Sequence, residues 1–135
     1  MNRLIVDTGF IVALGRARDP RHLSATRRLA TIRDPLVTVS PVLVESCHFL
    51  DVGAKCALLD WVLEGGIAVV DVPTSIYSDI AATIRRYADR DVDFTDAALV
   101  WLAEATGHRG ILTVDRGDFS VFRLKGGKRF DIVDW

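Results

Sequence analysis

Four acids stand at positions where an alternating chain of strands and helices can assemble chemistry. Asp7 directly follows the apolar stretch Leu4-Ile5-Val6, and Asp115 directly follows Ile111 through Val114. Glu45 falls in the second turn of a segment opening at Ser40-Pro41, and Asp96 in the first turn of a segment starting near residue 95. The chain separates them by 38, 51 and 19 residues, so only folding can bring them together. Electrostatics then limits what such a group is for. Two carboxylates about 4 Å apart repel by roughly 4 kcal/mol at an effective dielectric near 20. Three or four are tolerable only if some take protons or a cation fills the gap. A carboxylate-only ligand set selects a hard divalent ion, Mg²⁺ with Mn²⁺ as the alternative, over zinc. Such an ion suits phosphodiester hydrolysis without a covalent nucleophile. A metal-dependent nuclease is the concrete reading.

Each acid also has a plainer explanation. Asp7 is placed to cap a helix beginning at Thr8. Asp96 can pair with Asp93 in a capping-box-like arrangement favoured by the helix dipole. Glu45 can be a solvated helix residue, and Asp115 can start a turn with Gly117. Taken singly these bland readings win. Taken together they weaken, because one fold can carry several of the acids to a single edge.

The elements that must position the acids follow from hydrophobic patterning. Five near-continuous apolar stretches read as buried strands: 4–6, 36–39, 67–72, 111–114 and 130–133. Their Val and Ile content without alternation is the pattern of parallel strands covered on both faces. Helical segments separate them. Residues 8–14 are highly apolar and stop at Gly15. Asp19-Pro20 predicts an N-cap and first-turn proline for a helix over about 20–33, and Ser40-Pro41 repeats that signal for a helix to about 51. Ala54, Ala57, Leu58, Trp61 and Val62 stripe the next, closed by Gly65-Gly66; Ile76, Ile80, Ile84 and Tyr87 stripe one over about 74–88. Residues 95–106 form another, ended by Gly107, and Gly126-Gly127 is a surface turn. The expected fold class is α/β, a three-layer sandwich around a mostly parallel five-stranded sheet. Ligands in such sheets sit beyond the carboxyl ends of the strands. The helix over 74–88 must therefore run across the sheet, so that Asp96 returns to that edge.

Composition excludes several other classes. The chain has 135 residues, half of them apolar, which fits a single domain over 1–135 with a packed core. Seventeen basic residues against eighteen acidic ones exclude binding of nucleic acid by bulk charge. No apolar run approaches the roughly 18 residues needed to span a bilayer, and no signal-peptide pattern opens the chain; a cytoplasmic protein without a membrane partner is expected. Cys47 and Cys56 lack Cys-x-x-Cys spacing and are expected to be small buried thiols. Asp outnumbers Glu fifteen to three and Arg outnumbers Lys fourteen to three, favouring the short carboxylate and the bidentate phosphate binder.

The motifs resemble a known family. Ile5-Val6-Asp7-Thr8-Gly9-Phe10 with Ala13-Leu14, Ser40-Pro41-Val42-Leu43-Val44-Glu45, Asp96-Ala97-Ala98-Leu99, and Leu112-Thr113-Val114-Asp115 with Asp118-Phe119 are together similar to the PIN domain. The nearest likeness is to the VapC toxins of toxin–antitoxin pairs. The resemblance covers essentially the whole chain. It implies a Mg²⁺- or Mn²⁺-dependent endoribonuclease whose acidic quartet, matched motif to motif, is Asp7, Glu45, Asp96 and Asp115. It places Thr8 and Thr113 as hydroxyls that orient carboxylates or water, with Asp118 assisting one turn on from Asp115. Asp93 lies outside the motif and reads as a cap. The resemblance further implies homodimerisation, an RNA substrate such as tRNA or rRNA, and a cognate VapB-like antitoxin that occludes the site.

An acidic cleft repels RNA, so phosphate-binding groups must offset it. Arg16, Arg18 and Arg116 adjoin the motifs in loops and are the best candidates; Arg21, Arg27, Arg28, Arg85, Arg86 and Arg90 are more simply explained as solvated. His22, His48 and His108 have no partner at metal spacing, and no histidine base is expected. Trp61, Trp101 and Tyr87 lie on apolar stripes and belong to the core or a dimer face, while Trp135 fits either a structural or a base-stacking role. Two competitors remain. One is a PIN-like module that binds RNA or protein without cleaving; an intact quartet argues against it, since a non-catalytic domain has no reason to bear the repulsion. The other, a phosphorylated receiver domain, needs adjacent acids after the first strand and a lysine after the last. Thr8 follows Asp7, and the last strand ends in Asp134-Trp135, so it is rejected.

Overall fold

The computed structural model describes residues 2–135. Strands β1 (Leu4–Val6), β2 (Leu36–Val39), β3 (Ala68–Val70), β4 (Gly110–Leu112) and β5 (Asp131–Ile132) form one sheet in the order β3-β2-β1-β4-β5. Every neighbouring pair is parallel. All four residues of β2 are buried. Successive side chains of a strand point to opposite faces, so both faces are covered and the expected three-layer α/β arrangement holds. Strands three to five end sooner than patterning predicts. The apolar run continues past the ladder, because hydrophobicity reports burial and not pairing.

Among the described residues seven α-helices surround the sheet: α1 (Thr8–Gly15), α2 (His22–Thr31), α3 (Ser40–Cys47), α4 (Val52–Leu63), α5 (Tyr77–Arg86), α6 (Phe94–Thr106) and α7 (Arg116–Val121). Three local expectations need correction. Asp19 does not cap α2; its carboxylate accepts from Arg21 N–H at 2.8 Å, within its own turn, and Arg21 precedes the helix with no side-chain cap. Ser40 lies inside α3, entered from β2 through Val39 without a side-chain cap, and the helix ends at Cys47, short of residue 51. Helix α7 is unforeseen. The Asp115 carboxylate accepts the Asp118 N–H at 3.1 Å, and burial of Phe119 against Phe122 and Phe130 carries the expected turn into a short helix. Cys47 is half-buried but Cys56 is exposed, correcting the expectation of two buried thiols; it lies on the outer side of α4.

The core joins strands and helices through side chains with almost no exposure, among them Phe10, Phe119, Phe122, Leu99 and Leu102. Each such group contributes roughly 1.5–3 kcal/mol by leaving water. Trp135 packs edge-on against Phe10 at 4.9 Å, and its Nε1 donates to the Thr113 carbonyl at 3.3 Å, so it is structural. Gly107 adopts a left-handed φ of 79° where α6 stops, which lets the chain turn into β4 within three residues. No helix among the described residues is long and apolar enough to cross a membrane.

The chain steps outward from β1 to β2 and β3, then crosses back to place β4 and β5 on the other side of β1. Connectivity therefore changes direction between β1 and β4. In open parallel sheets the crevice at that point, beyond the carboxyl ends, is where ligands bind. Asp7 leaves β1 there, and the segment carrying Thr113 and Asp115 leaves β4 beside it.

Candidate active site

A cleft of about 440 Å³ opens at this switch point, and Asp7, Glu45, Asp96 and Asp115 all line it. Asp7 is held most firmly. Its carboxylate accepts from Thr8 N–H at 2.7 Å and from Thr113 Oγ1 at 2.8 Å, so both oxygens are directed. The same Thr113 hydroxyl accepts from Asp115 N–H at 2.9 Å and ties the two strand ends together. Glu45 projects from α3 and is half-buried. Asp96 stands in the first turn of α6, capped by Asp93, whose carboxylate accepts the Asp96 N–H at 2.9 Å. The helix starts at the carboxyl edge because it must descend to reach β4, and that direction returns Asp96 to the cleft.

The acids do not ionise easily together. Burial pushes the Asp7 carboxyl up to about 6, with Glu45 and Asp115 adding repulsion against the two stabilising hydrogen bonds. Burial, followed by repulsion from Asp93, Asp7, Asp115 and Asp118, pushes Asp96 up to about 8. Asp115 is also raised, first by burial. Asp118 lies beside the cleft without lining it. One carboxylate oxygen from each of Asp96, Asp115 and Asp118 lies within 4.8 Å of the others. Asp118 also accepts from Arg90 Nε at 2.9 Å.

The side chains present fit a hard divalent cation. No His or Cys lines the cleft, only carboxylates and a hydroxyl as anionic or neutral oxygen donors. Thr8, on the cleft wall, leaves its buried Oγ1 without a partner. An unsatisfied buried hydroxyl costs free energy unless a ligand answers it. Protonation of Asp7 and Asp96 is the alternative to a cation, and burial together with the neighbouring carboxylates favours it.

Sequence reasoning placed the acids better than the cations. Of Arg16, Arg18 and Arg116, only Arg16 lines the cleft. Arg18 lines an adjoining cavity, and Arg116 donates to Asp134 at 2.8 Å on the exposed surface. Arg21, Asp19, Asp93 and Phe49 line the cleft without having been singled out for it. Arg21 carried a signal, its place two residues beyond Asp19 in the loop after α1; Phe49 carried none. His22 Nδ1 meets the Ala13 carbonyl at 2.7 Å, and His108 Nδ1 accepts from Arg3 N–H at 3.3 Å, both structural.

Gly9 sets the distance between the two strand ends. A Cβ there would lie 2.5 Å from Val114 Cγ2, 2.8 Å from its Cγ1 and 3.2 Å from its Cβ, so this part-exposed side chain, stiff at χ1, or the backbone carrying it has to shift. Gly9→Ala is expected to push α1 away from the β4 end, lowering stability by about 1–3 kcal/mol. It should also cut the nuclease activity expected from the sequence at least about tenfold by separating Asp7 from Asp115. Circular-dichroism melts and initial rates on one RNA preparation check both; an unchanged rate would show that the spacing is not critical.

Comparison with known proteins gives two informative relatives. Ribonuclease VapC26 of Mycobacterium tuberculosis is 31% identical over an alignment of 135 residues that covers 96% of this chain and 99% of the relative. The crystal structure of Mycobacterium tuberculosis VapC20, described as a sarcin–ricin loop cleaving toxin, matches with a TM-score of 0.78 at 26% identity. That match covers 84% of this chain and 91% of the other. No family model matches the chain.

Proposed function

Because the chain belongs to the VapC ribonucleases, endoribonuclease toxins of PIN-domain fold, we propose that its acid cleft is the catalytic centre. Asp7, Glu45, Asp96 and Asp115 would hold Mg²⁺ or Mn²⁺ there, and Asp118, grouped with Asp96 and Asp115, would assist. The observation that supports this most is the convergence of the four acids at the switch point, with Asp7 and Asp96 reluctant to ionise. When bound, the divalent cation supplies Lewis acidity toward the phosphodiester and the attacking water.

The protein's own groups set the geometry. Thr113 fixes the Asp7 carboxylate and the Asp115 backbone in one stroke, so neither has to reorganise during reaction. Asp93 and Asp115 each spend a carboxylate oxygen capping a helix, which holds the first turns of α6 and α7 against the cleft. Burial and the neighbouring acids favour the protonated form of the Asp96 carboxyl, and a divalent cation there would favour its ionised form. Arg16 and Arg21 on the cleft wall draw the RNA backbone past the acids. The 135 residues act as one catalytic unit, in the cytoplasm, as a homodimer silenced by a VapB-like antitoxin. The substrate class is structured RNA, tRNA or rRNA. A loop of the sarcin–ricin type, which VapC20 cleaves, is the first to test, since unpaired loop bases can splay out for recognition.

Mapping of new RNA ends in total bacterial RNA tests the reading. Discrete ends are expected with Mg²⁺ or Mn²⁺ and none in EDTA. Equal cleavage in EDTA would remove the metal from the proposal, and binding without any cut would reduce the protein to an RNA-binding module.

A further inference from the structure

We propose that the cavity beside the acid cleft is a subsite for the unpaired nucleotide next to the scissile phosphate, with Phe49 as the surface on which its base stacks and Arg16 and Arg18 as its phosphate contacts. The proposal rests on the ribonuclease centre above and adds to it a determinant of substrate choice. The cavity measures about 490 Å³ and is lined by Arg16, Arg18, His48, Phe49 and Asp51, among others. Arg16 and Phe49 line the acid cleft as well, so the two spaces share one wall. A strand whose phosphate lies among the acids passes directly into this cavity at the next nucleotide.

Phe49 differs from the other phenylalanines. Phe10, Phe94, Phe119, Phe122 and Phe130 each pack against another aromatic ring, and Phe49 alone takes part in no such pair among the described residues. It is 53% exposed. Its backbone is nevertheless firmly held. Phe49 N–H donates to the Ser46 carbonyl at 3.0 Å and His48 N–H to the Glu45 carbonyl at 3.2 Å. Leu50, the next residue, is buried, and Asp51 then caps α4 by accepting from Ala54 N–H at 2.8 Å. The ring is thus presented four residues beyond Glu45 by a turn anchored on both sides. A rigid, wet aromatic face at the rim of a nuclease cleft is a stacking platform, usable by any base because each has a π-face.

The charges agree with an RNA occupant. Neither Arg16 nor Arg18 forms an ion pair among the described residues, since the two pairs present join Arg90 to Asp118 and Arg116 to Asp134. The one acid on the cavity wall, Asp51, already faces the α4 N-terminus. Val44 and Val52, exposed on the flanking helices, would suit a protein contact instead. The lining beside Phe49 is polar and cationic, and this favours the nucleotide.

The test measures binding of two fluorescein-labelled probes, an oligouridylate and an abasic ribose-phosphate chain of equal length, by anisotropy with Mg²⁺. All proteins carry Asp96→Asn, so that the probe stays whole. Adding Phe49→Ala is expected to weaken oligouridylate binding roughly 5- to 100-fold and leave the abasic chain unchanged, while Phe49→Trp keeps or tightens it. Arg16→Gln should weaken both chains alike and lower the salt slope by about one. Equal loss on both chains at Phe49→Ala, or loss on neither, overturns the stacking platform. Loss of self-association in sedimentation with RNA binding unchanged assigns Phe49 to a protein contact and also overturns it. Persistent cleavage by Asp96→Asn alone would instead sink the catalytic assignment, a result separate from the base-dependent loss at Phe49.

Discussion

Asp7→Asn is expected to yield a folded protein whose expression no longer arrests bacterial growth and whose cleavage of RNA falls on the order of 10³-fold or more, about 4 kcal/mol of transition-state stabilisation. The fold survives because the substitution is isosteric and its hydrogen bonds can be remade. The amide oxygen accepts from Thr8 N–H as the carboxylate does now, and the amide NH₂ donates to Thr113 Oγ1. That hydroxyl can still accept from Asp115 N–H, having two lone pairs. What disappears is the negative charge at the most buried ligand position of the cleft. A neutral amide oxygen is a weaker partner for a hard cation, and the geometry around it is otherwise unchanged. Growth curves with induced wild type and variant, together with cleavage rates on one RNA, measure the effect. A variant as toxic as the wild type would place the activity elsewhere in the molecule.

The experiment also separates charge from shape. Were Asp7 merely the cap of α1, Asn would serve nearly as well, because both are favoured N-caps. Capping and catalysis are therefore both legible in one residue, and only function distinguishes them. This ambiguity explains what sequence reasoning could and could not reach. The acids at the strand ends were readable because an apolar run followed by Asp marks where a buried strand leaves the sheet, and a parallel sheet has only one such edge. Asp118 was not readable as a member of the tightest carboxylate group. Its position depends on α7, and α7 exists through burial of Phe119 and Phe122 more than through local propensity. Asp93 was read as a cap, which it is, but its second role on the cleft wall follows from where α6 starts. The cations were hardest. Arg116 neighbours Asp115 in the chain, yet its guanidinium reaches a carboxylate 18 residues away in the terminal segment. Long flexible side chains choose partners by tertiary geometry, which adjacency in sequence does not encode.

Stability of the metal-free protein is expected to fall as pH rises from about 4 to about 8, and Asp96→Asn is expected to remove most of that fall. In the unfolded chain both carboxyls titrate near 3.8, whereas folding raises Asp7 to about 6 and Asp96 to about 8. Between those values the native state binds more protons than the unfolded state, so unfolding free energy decreases with increasing pH. The contribution of Asp7 is lost by about pH 6 and that of Asp96 only by about pH 8. An asparagine amide has no proton to lose in this range, and it is neutral beside Asp93, Asp7, Asp115 and Asp118 without having to take up a proton on folding. In EDTA near pH 7.5 the variant should melt roughly 3–8 °C above wild type, with the gap closing toward pH 4. Mg²⁺ or Mn²⁺ should reverse the order. Cation binding favours the ionised carboxylates and stabilises wild type increasingly as pH rises, by about 2.7 kcal/mol at a hundredfold excess over Kd, while the variant has lost a ligand and gains less. Thermal melts across pH, with and without metal, read the wild-type-minus-variant difference directly and cancel the other titrating groups. A difference independent of pH, or an Asp96→Asn variant less stable in EDTA, would mean that these carboxylates do not strain one another. The cleft would then have no electrostatic need of a cation.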